Sequence, residues 1–243
     1  MPPLPIVLVH GAWHGAWCWS AVQAELDRRG LPSYAVDLPG HGASTLPLGD
    51  LHGDAAHVAA SIDALDRDVV LVGHSYGGAV ISEASVRTGR ARHLVYLTAF
   101  VPAAGQSLLD RLQSMPPIHT PLSDAVVAHE DGTSTVDPDG AALAFYGLCP
   151  PEVAAAAIAR LCPQPLATFR QPTTGAGWTS IPSTYVCCDA DQAIPMEHQR
   201  AMAASCAEVH TIHADHSPFV SAVGVTCDLL EGVARRVAVA VTS

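Results

Sequence analysis

The chain has 243 residues, of which 49% are hydrophobic and 14% are charged, and its formal net charge is −11. This length suits a single domain with a sizeable buried core, and the composition excludes a disordered chain or a coiled coil. This negative net charge argues against nucleic acid or an anionic membrane surface as a partner. The sequence contains no lysine, which excludes Schiff-base chemistry and a lysine general base.

The sequence shows no signal for export or for membrane insertion. Its first residues lead from two prolines into an apolar strand, without the basic and apolar regions of a secretory signal. No apolar run reaches the roughly 18–20 residues needed to cross a bilayer. The seven cysteines are scattered and odd in number, which favours free thiols in a reducing compartment. We therefore expect a cytoplasmic protein.

Short apolar runs alternate with helical patterns along the chain. Runs typical of strands lie at Ile6–Val9, Tyr34–Val36, Val69–Val72, Leu94–Leu97, Thr184–Cys187 and Val209–Ile212. Helical patterns cover Trp17–Arg29, His57–Leu65 and a final stretch from Ser217-Pro218 towards Val241. Gly30 after the first helix and the Ser-Pro pair before the last are typical boundary residues. Strands that are apolar on both faces and alternate with helices predict an α/β fold with a doubly wound, mostly parallel sheet.

The stretch from Phe100 to Ile181 interrupts this alternation. It is far longer than the roughly 30 residues of a complete crossover unit, and it is rich in proline and glycine. We expect a cap over residues 103–180, with helices at Ser107–Gln113 and Glu152–Leu161, inserted into a core made of residues 1–102 and 181–243. The alternative is a disordered insertion, but its many apolar side chains need burial.

The strongest functional signal is the motif Gly73-His74-Ser75-Tyr76-Gly77, which follows a predicted strand and precedes a helical pattern. This G-x-S-x-G context is typical of a nucleophile elbow, a tight strand-to-helix turn that exposes a serine hydroxyl. The flanking glycines allow neighbouring backbone to approach closely, and the following helix N-terminus favours developing negative charge. Ser75 is therefore the predicted nucleophile.

A serine nucleophile needs a base, and an oriented histidine normally supplies it. Where this elbow occurs, the triad follows in the order Ser, Asp or Glu, and His. The late candidates are His210, His213 and His216. The first two lie in or at the end of a predicted strand, whereas His216 lies in the following loop, so His216 is the predicted base. A metal site at these three histidines is the alternative, but residues three apart in a strand face opposite ways.

The acid should follow the preceding strand, and both Asp189 and Asp191 fit this position. The positions of these two residues in the sequence do not decide which of them is the acid. The loop His10–Trp13 ends the first predicted strand, where the second backbone donor of an oxyanion hole belongs in such folds. The histidine of this loop is predicted to be structural.

Several segments occur together and in order: His10–Trp17, Asp37–Gly42, Gly73–Gly78, Asp191–Pro195 and Ala214–His216. They resemble the branch of the α/β-hydrolase superfamily that holds the plant methyl salicylate esterases, the hydroxynitrile lyases and related bacterial esterases. The resemblance extends from the first strand to the final helix. It implies a triad of Ser75, Asp191 and His216, because the acid of the family stands four residues before a proline. It also implies that the backbone N–H groups of Ala12 and Tyr76 form the oxyanion hole.

Two positions depart from the lyases of this branch, which place a lysine after the catalytic histidine and a threonine after the first histidine of the oxyanion loop. Here these positions hold Ser217 and Gly11. The salicylate esterases carry methionine where this chain has Ser217, so their substrate cannot be carried over. Epoxide hydrolases and dehalogenases of the fold use an aspartate in place of Ser75.

We therefore expect a serine hydrolase that cleaves a small or medium carboxylic ester with an apolar or aromatic part through an acyl-enzyme, without a metal or another cofactor. The expected partner is this small-molecule ester, with no nucleic acid and no membrane, and the oligomeric state stays open. The residues expected to line the substrate cavity are Trp13, Tyr76, Phe100, Leu108, Leu112, Phe145 and Trp178. The alternatives are hydrolysis of a lactone, thioester or amide by the same triad, a hydroxynitrile-lyase-like activity, and a ligand receptor with little turnover.

Overall fold

The computed structural model of the chain describes residues 2–240. Within them the strands are β1 Ile6–Val9, β2 Ser33–Val36, β3 Val69–Ser75, β4 Ala91–Ala99, β5 Val126–Ala128, β6 Thr133–Val136, β7 Gln164–Pro165, β8 Ser183–Cys188 and β9 Glu208–Ile212. The α-helices are α1 Ser20–Arg28, α2 Leu51–Ala64, α3 Gly77–Ala84, α4 Leu108–Gln113, α5 Pro121–Ala125, α6 Pro138–Phe145, α7 Pro151–Ile158, α8 Ala167–Arg170, α9 Met196–Ala203, α10 Pro218–Ser221 and α11 Val223–Ala240.

Six strands form the central sheet in the order β2-β1-β3-β4-β8-β9, and every neighbouring pair is parallel. All six strands predicted from the sequence are present, and so is the predicted fold class. Their side chains alternate between two apolar layers. Ile6 and Leu8 of β1 pack on one face of the sheet, whereas Val7 and Val9 pack on the other. Because both faces of the sheet are buried, the strands are continuous apolar runs in the sequence.

The predicted helices are present with altered boundaries. A 3₁₀ turn at Ala16–Trp19 precedes α1, and Gly30 follows the helix with a φ of 71°, a left-handed conformation that favours glycine. Helix α2 begins at Leu51, before the predicted start, because the Asp50 carboxylate caps it by accepting a hydrogen bond from Gly53 N–H at 2.8 Å.

The final helix differs from its prediction. The chain leaves helical geometry at Ala222, where φ is −140° and ψ is 41°, so α10 and α11 are separate helices. Helix α11 is described as far as Ala240, and the predicted end near Val241 lies outside the described residues. No helix within residues 2–240 is long and apolar enough to span a membrane.

The chain between β4 and β8 contains short helices and a small antiparallel sheet, and we call residues 103–180 the inserted segment. Its sheet has the strand order β5-β6-β7, and Ser134 of β6 is the register partner of Gln164 of β7. Its predicted helices are α4, which Ser107 caps, and α7. Side chains of this segment, including Ala144 and Phe145, join the hydrophobic core of the central sheet.

Candidate active site

Ser75 stands at the end of β3, directly before the turn into α3. Its φ is 52°, a left-handed conformation that is strained for a residue with a Cβ atom. The turn is compact because glycines flank it. A Cβ atom at Gly73 would lie 2.5 Å from the carbonyl oxygen of Gly77, and one at Gly77 would lie 2.7 Å from that of His10. This backbone has the features of a nucleophile elbow, with Ser75 at its apex.

His216 and Asp191 form a buried pair beside this turn. The His216 Nδ1 atom lies 2.7 Å from Asp191 Oδ2, and both side chains are almost fully inaccessible to solvent. The other oxygen of Asp191 accepts hydrogen bonds from the N–H groups of Ala193 and Ile194, at 2.7 and 2.9 Å. The Thr98 hydroxyl donates to Asp191 Oδ2 at 2.5 Å. These contacts fix the carboxylate so that it can orient the imidazole ring.

The second candidate acid, Asp189, lies elsewhere. Its carboxylate contacts His213 Nδ1 at 2.9 Å, and both side chains are exposed. His210 lies in β9 and is 3.8 Å from Glu208. The structure therefore separates the three late histidines, and only His216 shares a hydrogen bond with Asp191.

His74 joins the elbow to the loop that carries His216. Its Nε2–H donates to the backbone carbonyl of His216 at 2.7 Å, and the two ring centroids are 4.6 Å apart. Because His74 directly precedes Ser75, this contact brings the serine strand against the histidine loop. Within residues 2–240 no hydrogen bond joins Ser75 Oγ to the His216 ring; such bonds often tighten only when substrate binds.

Two backbone N–H groups border the same space. The loop after β1 lies directly against the serine, since a Cβ atom at Gly11 would come within 2.9 Å of Ser75 Cβ. Ala12 and Tyr76 both line the cavity next to Ser75. Neither residue's N–H donates a hydrogen bond to another group of the described chain. The two groups are therefore available to an oxyanion, as in an oxyanion hole.

A largely apolar cavity of about 320 Å³ opens at Ser75. Most of its wall comes from the inserted segment, and Ala193, Ile194 and Pro195 add side chains from the loop after β8. Of the residues predicted to line the substrate cavity, the structure places these at its wall: Trp13, Tyr76, Phe100, Leu108 and Leu112.

The structure does not bring Phe145 and Trp178 to this wall. Phe145 is fully buried, and its ring centroid lies 6.1 Å from that of Trp13 and 5.5 Å from that of His216. It therefore packs against these two rings and does not face the cavity. The indole N–H of Trp178 donates to the carbonyl of Pro102 at 2.9 Å, which keeps this ring at the base of the inserted segment.

Sequence reasoning missed several polar residues around the site. Asp54 on α2 is buried, and its carboxylate accepts a hydrogen bond from the Tyr76 hydroxyl at 2.7 Å. Burial raises the pKa of Asp54 to about 7. Gln164 of β7 is also fully buried, and its side-chain oxygen accepts a hydrogen bond from the Trp13 N–H in the loop after β1. A helical aspartate and a glutamine between two prolines carry no local signal of such contacts.

The histidines beneath the site are held neutral. Burial lowers the pKa of His14 to about 4, and it lowers that of His10 and of His74 well below the usual range. In the neutral form His14 Nδ1–H donates to the carbonyl of Ala12, while Nε2 accepts from the Tyr146 hydroxyl, each at 2.8 Å. These three neutral rings therefore add no positive charge beside the buried His216–Asp191 pair.

Comparisons with known proteins identify the family of this chain. Residues 6–229 match the family model described as the alpha/beta hydrolase family. The alpha/beta hydrolase nvfD of Aspergillus novofumigatus is 33% identical over 210 residues, which are 82% of each chain. Methylesterase 1 of Arabidopsis thaliana is 30% identical over 214 residues, 81% of each chain. The crystal structure of a pyrethroid hydrolase from Sphingobium faniae is 25% identical, with a TM-score of 0.82 and coverage of 96% of this chain and 97% of that chain. The chain therefore belongs to the alpha/beta hydrolase family, within the branch that holds the methylesterases and related ester hydrolases.

Proposed function

We propose that this protein, a carboxylic ester hydrolase by its family, uses Ser75 as nucleophile, His216 as base and Asp191 as the acid that orients the base. The observation that carries the proposal is the strained Ser75 elbow at an apolar cavity, next to the buried His216–Asp191 pair. Strain of this kind persists where the surrounding structure holds it and is concentrated at active sites.

The reaction follows from these positions. His216 Nε2 takes the proton of Ser75 Oγ while Oγ attacks the ester carbonyl carbon, and the N–H groups of Ala12 and Tyr76 hold the oxyanion. The tetrahedral intermediate collapses, and the alcohol leaves with the proton from His216. Water then gives a proton to His216 and attacks the acyl-enzyme carbonyl carbon. As the bond to Ser75 Oγ breaks, His216 returns this proton to Oγ, which releases the carboxylic acid and restores the serine. Asp191 stabilises the imidazolium formed in each half of the cycle.

The preferred substrate carries an apolar or aromatic part. The cavity wall is formed by aliphatic and aromatic side chains such as Leu108, Ile118 and Phe169, and a volume of about 320 Å³ accommodates a ring or a medium acyl chain. Burial of apolar surface contributes about 25 cal/mol per Å², so esters with short polar acyl groups should bind more weakly.

The test compares wild type with Ser75→Ala on p-nitrophenyl esters of graded acyl length. We expect the variant to lose most of kcat, towards the roughly 10⁶-fold loss seen for nucleophile deletions in this kind of triad. Ser85→Ala removes another serine hydroxyl, at the end of α3, and should keep the wild-type rate. Covalent labelling by a fluorophosphonate should map to the peptide that contains Ser75. Retention of more than about 5% of wild-type kcat in Ser75→Ala would contradict the assignment.

A further inference from the structure

Trp13 follows the oxyanion donor Ala12 and has an unusual backbone. Its φ is 63°, a left-handed conformation that a bulky side chain rarely adopts. A residue keeps such a conformation only where its surroundings fix it. The conformation of Trp13 determines how the preceding peptide unit is oriented, and this matters because the Ala12 N–H lies in the same short loop.

Three groups of the inserted segment hold Trp13. The Gln164 side-chain oxygen accepts a hydrogen bond from the Trp13 backbone N–H at 3.3 Å. The backbone N–H of Cys162 donates to the Trp13 carbonyl at 2.9 Å. The Trp13 indole N–H lies 3.2 Å from both the carbonyl and the hydroxyl oxygen of Ser134. The backbone donor, the backbone acceptor and the side-chain donor of one residue are thus all bound by this segment.

These groups form one rigid unit. Ser134 and Gln164 are paired across β6 and β7, and the Ser134 hydroxyl also donates to the Gln164 carbonyl at 3.2 Å. Both side chains are completely buried. The Gln164 amide is fixed at its other end as well, since its nitrogen donates to Thr168 Oγ1 at 2.9 Å. The small sheet therefore presents a pre-oriented acceptor to the Trp13 N–H.

Resting on the proposed function, we infer that Gln164 is a positioning residue for the oxyanion hole, and that the inserted segment sets the catalytic geometry of the loop after β1 as well as forming the cavity wall. Gln164 does not touch the reacting atoms. It holds Trp13 in the left-handed conformation that keeps the Ala12 N–H unpaired and beside Ser75. Loss of this acceptor frees the loop to relax and misplaces one of the two oxyanion donors.

The experiment compares Gln164→Met with Thr173→Val in the full-length protein. Methionine keeps the length of glutamine but replaces its amide oxygen with a sulfur atom that is only a weak acceptor. The substitution also removes the contact of this oxygen with His41 Nε2, at 2.9 Å. Thr173 is also buried in the inserted segment, but its hydroxyl contacts only the carbonyls of Ala103 and Gln106, so its substitution removes a buried polar group away from the loop. Both variants are assayed for kcat and KM on an aryl ester and for inhibition by a trifluoromethyl ketone, whose adduct with a serine carries an oxyanion.

We expect Gln164→Met to lower kcat by about 10- to 100-fold with KM nearly unchanged, less than the 10²–10³-fold loss on removal of an oxyanion donor. Affinity for the ketone should fall in parallel, and amide exchange in residues 11–15 should accelerate. Thr173→Val should change none of these by more than about twofold. Equal effects of both variants, or an unchanged kcat in Gln164→Met, would overturn the inference.

Two further measurements separate the possible failures. If the wild type shows no Ser75-dependent ester hydrolysis, the proposed function fails; if it does and Gln164→Met matches it, only the positioning role fails. Should Gln164→Met not fold, Trp13→Phe removes the indole donor to Ser134 and keeps a ring in the cavity wall. In that variant we expect a smaller loss of kcat, again with faster exchange in residues 11–15, and wild-type exchange there would count against the inference.

Discussion

Asp54 gives the sharpest quantitative prediction. Asp54 is 1% exposed. One of its carboxyl oxygens accepts a hydrogen bond from the Tyr76 hydroxyl, and the other has no hydrogen-bond partner within residues 2–240. Ionisation in this place is costly, which is why burial raises the pKa of Asp54 from 3.8 to about 7. The Asp54→Asn variant keeps an oxygen acceptor for Tyr76 but never ionises.

The sign and size of the effect follow from proton linkage. The folded-state pKa of Asp54 lies above the unfolded value, so the folded chain binds the proton more tightly and stability falls as pH rises between the two values. The difference between 3.8 and about 7 corresponds to about 4 kcal/mol. Between pH 5 and pH 8 the free energy of unfolding should fall by about 3 kcal/mol because of this group. That is on the order of a third of the stability of a typical domain.

The assay is urea unfolding followed by circular dichroism at pH 5 and pH 8. We expect Asp54→Asn to show a loss of unfolding free energy between these pH values that is smaller than that of wild type by about 3 kcal/mol. Asp27→Asn, at an exposed position of α1, controls for removal of one charge and should follow the wild type. If Asp54→Asn has the same pH dependence as wild type, the carboxyl group is ionised in the folded state at pH 5 and the reasoning is refuted.

Three other predictions concern the site. Asp191→Asn should lower kcat by about 10⁴-fold through the wrong tautomer of the histidine, whereas Asp189→Asn should cost far less; equal losses in ester assays would contradict the assignment. Purified protein should hydrolyse an aryl acetate but release no Ser75-dependent cyanide from mandelonitrile, because Gly11 and Ser217 replace the threonine and lysine of the lyases; cyanide release comparable to ester turnover would reverse this reading. Stability should also fall as pH drops from 6.5 towards 4, because the pKa of His14 is lowered to about 4. At pH 5 the protonation of this histidine in the unfolded chain lowers the free energy of unfolding by about 2 kcal/mol. The His14→Gln variant should lack this loss, so the same pH dependence of urea unfolding in variant and wild type would argue against a buried neutral ring.

The central sheet could be predicted because its strands carry a strong local signal. Residues such as Ile6 and Val7 are buried on opposite faces, so each strand is apolar throughout, and glycine and proline mark the boundaries between elements. The Ser75 elbow was predictable for a similar reason. The glycines on either side are required by close backbone contacts that every such turn must make.

The small sheet of the inserted segment could not be predicted in this way. Strands β5, β6 and β7 have two to four residues each, and β7 contains Pro165, a residue that weakens any strand prediction. The contact of Gln164 with Trp13 joins residues 151 positions apart in the chain. Only the folded structure brings them together, so the sequence around Gln164 indicates a loop and nothing more.

The backbone conformations show why the site depends on such distant contacts. Within residues 2–240 four residues other than glycine have positive φ, and Trp13, Ser75 and Thr98 among them belong to the candidate site. Each is held by a partner from another element: Ser75 O accepts from the Phe100 N–H, Thr98 Oγ1 donates to Asp191, and Trp13 is bound by β6 and β7.

Strained residues cost about 1–3 kcal/mol each, so a chain that lost these partners would relax at the site before it unfolded elsewhere. Replacement of Trp13 by glycine would relieve the strain, but it would also remove the indole that Ser134 holds and the aromatic wall of the cavity. The contacts of Trp13 with β6 and β7, and not its local preference, therefore keep this bulky residue in a costly conformation.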